Sequence, residues 1–389
     1  MAASAGERTG GRAKGRDVAV IQDTSEIAVG GVDLGRAGFG PIGKGGATRG
    51  VLVHAAIAVD SQGALLGLVD ETVWTREGGK RNKSDRSRLF AGKESHRWLK
   101  TCEAAAGRLA GARSITMVSD AESDIYELFA GKPEGLHLLV RAARDRRLES
   151  GGLLSETVDA LKPCGMIERL IPAAPGRKER VARLELKCVE VLLKAPEAVA
   201  KTAPAQLAMT VVEVRERGAP EGVAPVRWLL LTTHAVRTAA RAAEIVDLYR
   251  GRFFIEQLFR TLKSAGFNIE EAEIEDPRAF INFTGLALIA AVSVMQLVKA
   301  RDGGTAQLLE DCFAAEDRPL LAALSRKLAG KTVKQKNPHP PDDLAFASWV
   351  IARLGGWTGY YGKPGPAVMR YGLERFHAIK LGAQIANDV

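Results

Sequence analysis

Two apolar, β-branched runs each stop at an acid, and that pairing narrows the folds open to the chain. Asp17-Val-Ala-Val-Ile-Gln-Asp23-Thr-Ser reads as a short strand ending at Asp23, and Ser114-Ile-Thr-Met-Val-Ser-Asp120 reads as another ending at Asp120. A carboxylate at the carboxyl end of a buried strand stands at the rim of a sheet, where the ligands of α/β folds collect. Between the two, residues 49–60 and 64–75 are β-rich and parted by Asp60-Ser-Gln-Gly63, a turn of ordinary turn residues. Three antiparallel strands follow as the economical reading. A helical stretch at 92–109 leads to the Asp120 strand, and residues 136–142 supply a fifth strand. This order sets both acids side by side in one mixed sheet.

A third acid stands on a helix. Tyr249, Arg252, Glu256 and Lys263 fall at offsets of three, seven and fourteen, which at about 100° per residue puts them on one helical face within about 60°. Residues 239–263 contain no Pro and one Gly, with apolar Ile245, Leu248, Ile255, Leu258 and Leu262 at helical recurrence. Arg260, eleven after Tyr249, joins the same stripe. Such a row suits a phosphodiester, with Glu256 holding a cation and the bases holding phosphate oxygens. A solvated face laced with ion pairs is the competing reading.

Each aspartate also has a plainer role open to it, because Asp23-Thr-Ser and Asp120-Ala-Glu-Ser-Asp124 can each begin a turn or a helix. Two acids at strand ends and one on a later helix are better explained together, as three oxygen donors for hard divalent cations.

With these residues laid out, the chain resembles the DDE transposases of bacterial insertion sequences, in their transposon-five-like, insertion-sequence-four branch. The family's helical Y-x2-R-x3-E-x6-K pattern is matched by Tyr249, Arg252, Glu256 and Lys263; its D-x-E-x-D-I segment by Asp120, Glu122, Asp124 and Ile125; its D-T-[ST] segment by Asp23, Thr24 and Ser25. The likeness runs from about Val18 to the carboxyl terminus. It implies an α/β, ribonuclease-H-like mixed sheet with flanking helices, a β-rich insertion between the second acid and the Glu256 helix, and an α-helical C-terminal region. It implies that Asp23, Asp120 and Glu256 hold two Mg2+ ions, with Mn2+ able to substitute. Tyr249, Arg252 and Lys263 would grip the phosphate at a transposon end. Arg141 aligns with a DNA-contacting arginine of the family, and Trp228, in Pro225-Val-Arg-Trp228-Leu, with a tryptophan that receives a flipped base. A tryptophan in an apolar strand is more often core, so both readings of Trp228 stand. The implied reaction is cut-and-paste transposition: end nicking, hairpin formation and opening, then strand transfer into target DNA.

The organisation expected is a disordered basic N-terminus at 1–16, a catalytic core at 17–147 and 234–300, a β-rich insertion at 148–233 and a helical dimerisation region at 301–389. In the insertion, alternation as in Ala182-Arg-Leu184-Glu-Leu186 replaces the helical period. Residues 280–298 read as a buried helix behind the Glu256 helix, their uninterrupted apolar part being too short to span a bilayer. Lys and Arg exceed Asp and Glu for a net charge of +9, which favours a polyanionic partner such as double-stranded DNA. The excess gathers at Arg76, Lys80, Arg81, Lys83, Arg86 and Arg88, and at Arg141, Arg144, Arg146 and Arg147; in the proposed fold both runs flank the acids.

Cys102, Cys164, Cys188 and Cys312 lack CxxC spacing, so neither zinc nor a disulfide framework is indicated. Gly38-Phe-Gly-Pro-Ile-Gly43-Lys44-Gly45 approaches a P-loop, but Gly45 stands where Ser or Thr must meet magnesium. Of six scattered histidines, His54 opens a strand near the site. No apolar signal stretch begins the chain, and a bacterial cytoplasmic protein working on the nucleoid is expected. Only 22 residues precede Asp23, where relatives carry an end-recognition domain. Three functions are open: a DDE transposase that dimerises on DNA and binds it weakly and salt-sensitively with little preference for sequence; a shortened, non-catalytic partner that inhibits full-length transposase by dimerising with it; and a metal-dependent nuclease of ribonuclease-H type.

Overall fold

The computed structural model describes residues 2–29, 38–43, 46, 48–76, 89–173, 178–303 and 307–387. A ten-stranded mixed sheet forms the frame. β1 (Asp17–Ala28) is its pivot: it runs antiparallel to β3 (Thr48–Asp60), with Asp23 opposite Ala55, and parallel to β5 (Ser114–Ser119), with Ile21 opposite Val118. Beyond β3 lie β2 (Gly40–Ile42) and β4 (Leu65–Trp74), both antiparallel to it. The β3–β4 turn forms as expected: Asp60 Oδ1 accepts from the N–H groups of Gln62 (3.0 Å) and Ala64 (2.8 Å), and Gly63 takes φ +78°.

On the other side β5 pairs in parallel with β6 (Leu136–Arg141), and β6 pairs antiparallel with β10 (Arg227–Thr232). The sheet then continues through β9 (Gln206–Arg217), β8 (Arg180–Lys194) and β7 (Gly165–Ile171). The stretch read as an insertion, 148–233, therefore extends the main sheet, carrying the helix α4 (Leu154–Ala160) on its way.

Residues of β1 alternate between two cores, as pleating requires. Val18 and Val20 face a cluster built on Trp98, Cys102 and Ala105 of α2 (Arg97–Arg108). Ala19 and Ile21 face the other cluster, with Ile245 of α5 (Ala239–Arg250), Ile255 and Leu258 of α6 (Phe253–Arg260), and Leu288 of α7 (Pro277–Ala300). Ile21, Ile57, Trp98 and Leu288 are fully buried, each contributing about 1.5–3 kcal/mol of transfer free energy. By the same alternation Asp23 falls on the α6 side, and Gln22 and Thr24 on the α2 side.

Several expectations need correction. Asp23 does not end its strand: β1 runs on to Ala28 along β3, and what stops near Asp23 is the pairing with the shorter β5. Residues 239–263 are not one helix. α5 ends before Gly251, and i→i+3 bonds (Arg252 N–H to Tyr249 O at 3.0 Å, Phe254 N–H to Gly251 O at 3.0 Å) tighten the chain there. A β-carbon on Gly251 would lie 2.9 Å from Leu248 O, so the tight passage needs glycine. The last turn, Thr261–Ala265, is π-helical.

The N-terminus is not disordered. Ala2–Ala13 forms α1 and docks on β4, with Thr9 Oγ1 donating to Leu68 O at 2.6 Å, Arg12 Nη1 donating to Leu66 O at 3.0 Å, and Ala5 and Ala13 buried. Its glycines permit this contact. β-carbons on Gly6 and Gly10 would meet Val69 O and Arg108 O.

α7, 24 residues long, is apolar and long enough to cross a membrane by length and composition. It packs as a core helix instead, against β4, α6 and the C-terminal helices α9 (Leu344–Leu354) and α10 (Pro366–Asn387). With α8 (Arg318–Leu328) these make the helical C-terminal region. Cys164 and Cys188, unrelated by spacing, come together with Sγ atoms 3.5 Å apart because β7 and β8 pair.

Candidate active site

Asp23 and Asp120 reach one edge by register. Continuing the parallel pairing of Ile21 with Val118 by two residues sets Asp23 opposite Asp120, the first residue beyond β5. Each carboxylate spends one oxygen on a nearby backbone N–H: Asp23 Oδ1 accepts from Thr24 at 2.7 Å, and Asp120 Oδ1 from Glu122 at 2.9 Å. The cap role open to Asp120 is thus real, since Ala121–Ser123 is a single 3-10 turn.

Glu256 arrives on α6, and Arg252 joins it to the strand. Arg252 Nη1 donates to Asp23 Oδ2 at 3.0 Å while Nη2 contacts Glu256 Oε1. One guanidinium therefore holds two of the three acids, which lie 233 positions apart in the chain. Burial pushes the Asp23 carboxyl up to about 6, and the negative charge of Asp120 adds to the rise; the Thr24 N–H and Arg252 oppose it.

Tyr249 is buried under this edge, its ring edge-on to Trp228 with centroids 5.3 Å apart. Burial raises its phenol above the usual range, and Arg252, Arg141 and Asp120 act on it electrostatically. Trp228 is half-buried, and Arg141 at the end of β6 is exposed. Arg260 lines a cleft of about 450 Å3 with Gln257, Thr261 and Lys299. Lys263 sits in the π turn, displaced from the α-helical angle that aligned it with Glu256.

Sequence reasoning missed the layer behind the acids. Arg97 Nε donates to Thr24 Oγ1 at 2.9 Å and Nη2 donates to Glu122 Oε2 at 3.2 Å; Thr24 Oγ1 also lies 2.8 Å from His54 Nδ1. The D-x-E-x-D segment held a partial signal for it. Its last acid, Asp124, is fully buried, accepting from Arg146 Nε at 2.8 Å and from the N–H groups of Ala143 and Arg144 at 2.8 and 2.9 Å. Arg146 therefore braces the fold and does not extend a basic surface. In the other basic run, Arg76 pairs with Glu94 at 2.9 Å and Glu26 at 3.5 Å; Lys80, Arg81, Lys83, Arg86 and Arg88 lie outside the described residues, as do Lys44 and Gly45 of the P-loop-like segment.

Among the described residues, no three His, Cys, Asp or Glu side chains gather closely enough to hold a metal ion. The donor chemistry nonetheless fits a hard divalent cation: carboxylate oxygens, of which Asp23 is held above its usual range by burial and then by the charge of Asp120. A cavity of about 590 Å3 lies elsewhere, at the start of β1 and β5, lined by Asp17, Ser114, His234 and Arg241. No family model matches the chain.

Proposed function

We propose that this chain cleaves and joins DNA as a transposase of the DDE type, by phosphoryl transfer assisted by divalent cations. The observation that carries the reading is the meeting of Asp23 and Glu256 on Arg252, with Asp120 next to Asp23 in register. The strand order β4-β3-β1-β5-β6, antiparallel across the first three and parallel across the rest, supports a ribonuclease-H-like core.

Asp23, Asp120 and Glu256 would hold two Mg2+ ions, or Mn2+ in their place, which when bound polarise phosphate oxygens and ease formation of the attacking nucleophile. Arg252 bridges Asp23 and Glu256 in the free protein, and its planar fork is equally suited to a phosphate oxygen. Arg252 acts on the Tyr249 phenol, and the Tyr249 ring packs edge-on against Trp228. The half-buried Trp228 ring and exposed Arg141 place a stacking surface and a positive charge beside the acids, suited to an unstacked base and its phosphate. Arg260 at the end of α6 and Lys263 in the π turn beyond it would add positive charge.

Incubation of pre-cleaved transposon-end DNA and supercoiled plasmid with Mg2+ tests the reading. Joined products are expected, and Glu256→Gln should remove them while leaving the melting temperature intact. Nicking without joining points to a nuclease. Undiminished joining by Glu256→Gln overturns the assignment.

A further inference from the structure

One oxygen of each aspartate, Asp23 Oδ1 and Asp120 Oδ1, is held by a backbone N–H, that of Thr24 and that of Glu122 respectively. One side chain, Arg97, donates to both of those residues. It enters from the opposite face of the sheet, where alternation along β1 places Thr24. The same guanidinium is fixed further: Nη1 donates to Glu94 O at 3.1 Å, and the group lies over the rings of Trp98 (5.2 Å) and Trp74 (5.8 Å).

The directions of the bonds are determined. Arg97 has only donors, so Thr24 Oγ1 accepts from it; because Gln22 Oε1 only accepts, the neutral His54 ring leaves Nδ1 bare, and Thr24 turns its own proton to it at 2.8 Å. His54 then carries its proton on Nε2 and donates to Gln22 Oε1 at 3.3 Å, and Gln22 Nε2 donates to Cys102 Sγ at 3.8 Å. His54, Gln22 and Cys102 are at most 1% exposed, and the His54 ring is edge-on to Trp98 at 4.7 Å. A buried imidazole beside an arginine is held neutral, the form this chain requires.

We propose that Arg97, seated by the Thr24–His54–Gln22 chain, is a positioning residue that sets the separation and orientation of the Asp23 and Asp120 carboxylates for divalent cations. The inference rests on the metal-binding reading above. Loss of partners that orient metal ligands weakens binding by about 10- to 100-fold in other centres. Geometry should matter more for Mn2+ and Mg2+, which favour regular octahedra, than for the more tolerant Ca2+.

The test measures Mn2+ binding to the DNA-free full chain by the electron paramagnetic resonance signal of unbound Mn2+, with Ca2+ affinity from competition. Arg97→Lys keeps the charge but cannot reach both partners; about tenfold weaker Mn2+ binding is expected, with a smaller loss for Ca2+. Thr24→Val, nearly isosteric, should behave alike, and Thr24→Ser should restore binding. Wild-type Mn2+ affinity in both Arg97→Lys and Thr24→Val, or equal proportional losses for the two cations, overturns the proposal. Asp23→Asn separates the two ideas. If it leaves Mn2+ binding untouched, the metal reading itself fails; if it abolishes binding while Arg97→Lys does not, only the positioning role fails.

Discussion

Arg252 donates to Asp23 across 229 positions of sequence, at 3.0 Å, with side chains 22% and 16% exposed. The bond compensates only part of the cost of burying Asp23, whose carboxyl still sits at about 6 against an ordinary 3.8. A carboxyl raised on folding binds protons more tightly in the folded state. Its contribution to stability is complete below the unfolded value and is lost as pH rises through the folded one. The cation-free protein should therefore lose up to about 3 kcal/mol of stability between pH 4 and pH 6 through this group. Asp23→Asn should flatten that slope in denaturant melts; an unchanged slope would exclude Asp23 as its source.

Divalent cations should reverse this penalty. Ligands that bind only the folded state stabilise it by about 2.7 kcal/mol at a hundred times their dissociation constant. Saturating Mn2+ should accordingly raise the wild-type melting temperature by several degrees, with little rise in Asp23→Asn or in Glu256→Gln. Equal shifts in all three proteins would place the cation elsewhere.

Asp124 belongs to the same motif as Asp120 but has a structural task. Breaking a buried ion pair by removing one partner costs about 3–5 kcal/mol. Asp124→Ala should lose that much in chemical denaturation, because it also strips acceptors from the Ala143 and Arg144 N–H groups. A loss below about 1 kcal/mol would contradict the buried network.

α1 docks through its glycines, so bulk at Gly10 should undo it. A side chain there runs into Arg108 O, and overpacking of this kind costs about 1–3 kcal/mol. Gly10→Val should release α1, seen as faster amide exchange in residues 2–13 with the sheet still protected; unaltered exchange would show that the docking tolerates bulk.

Cys164 and Cys188, their sulfurs 3.5 Å apart, are placed for a disulfide once an oxidant such as diamide accepts their two hydrogens. Peptide mapping after mild oxidation should find these two cysteines linked and Cys102, which is buried, still reduced. Linkage at other cysteines alone would count against the β7–β8 pairing.

The sequence by itself determined the local chemistry: the strands that carry Asp23 and lead to Asp120, the Asp60–Gly63 turn, the alternation of residues 182–186, and a helix bearing Glu256. These are short-range consequences of side-chain size, polarity and period. It misjudged residues 1–16, because glycine reads as freedom in a sequence and as close approach in a packed helix, and only the neighbours of Gly6 and Gly10 decide between them. It drew residues 239–263 as one rod, because a single glycine in an otherwise helical pattern does not mark where i→i+4 bonding gives way to the i→i+3 bonds at Gly251. Tertiary structure alone decided that Arg252 spans Asp23 and Glu256, that Arg97 reaches Thr24 and Glu122, that Arg146 serves Asp124, and that two distant thiols meet. Each depends on strand register and on which face of the sheet a helix covers. Those are settled by the burial of whole surfaces, which no local window of sequence contains.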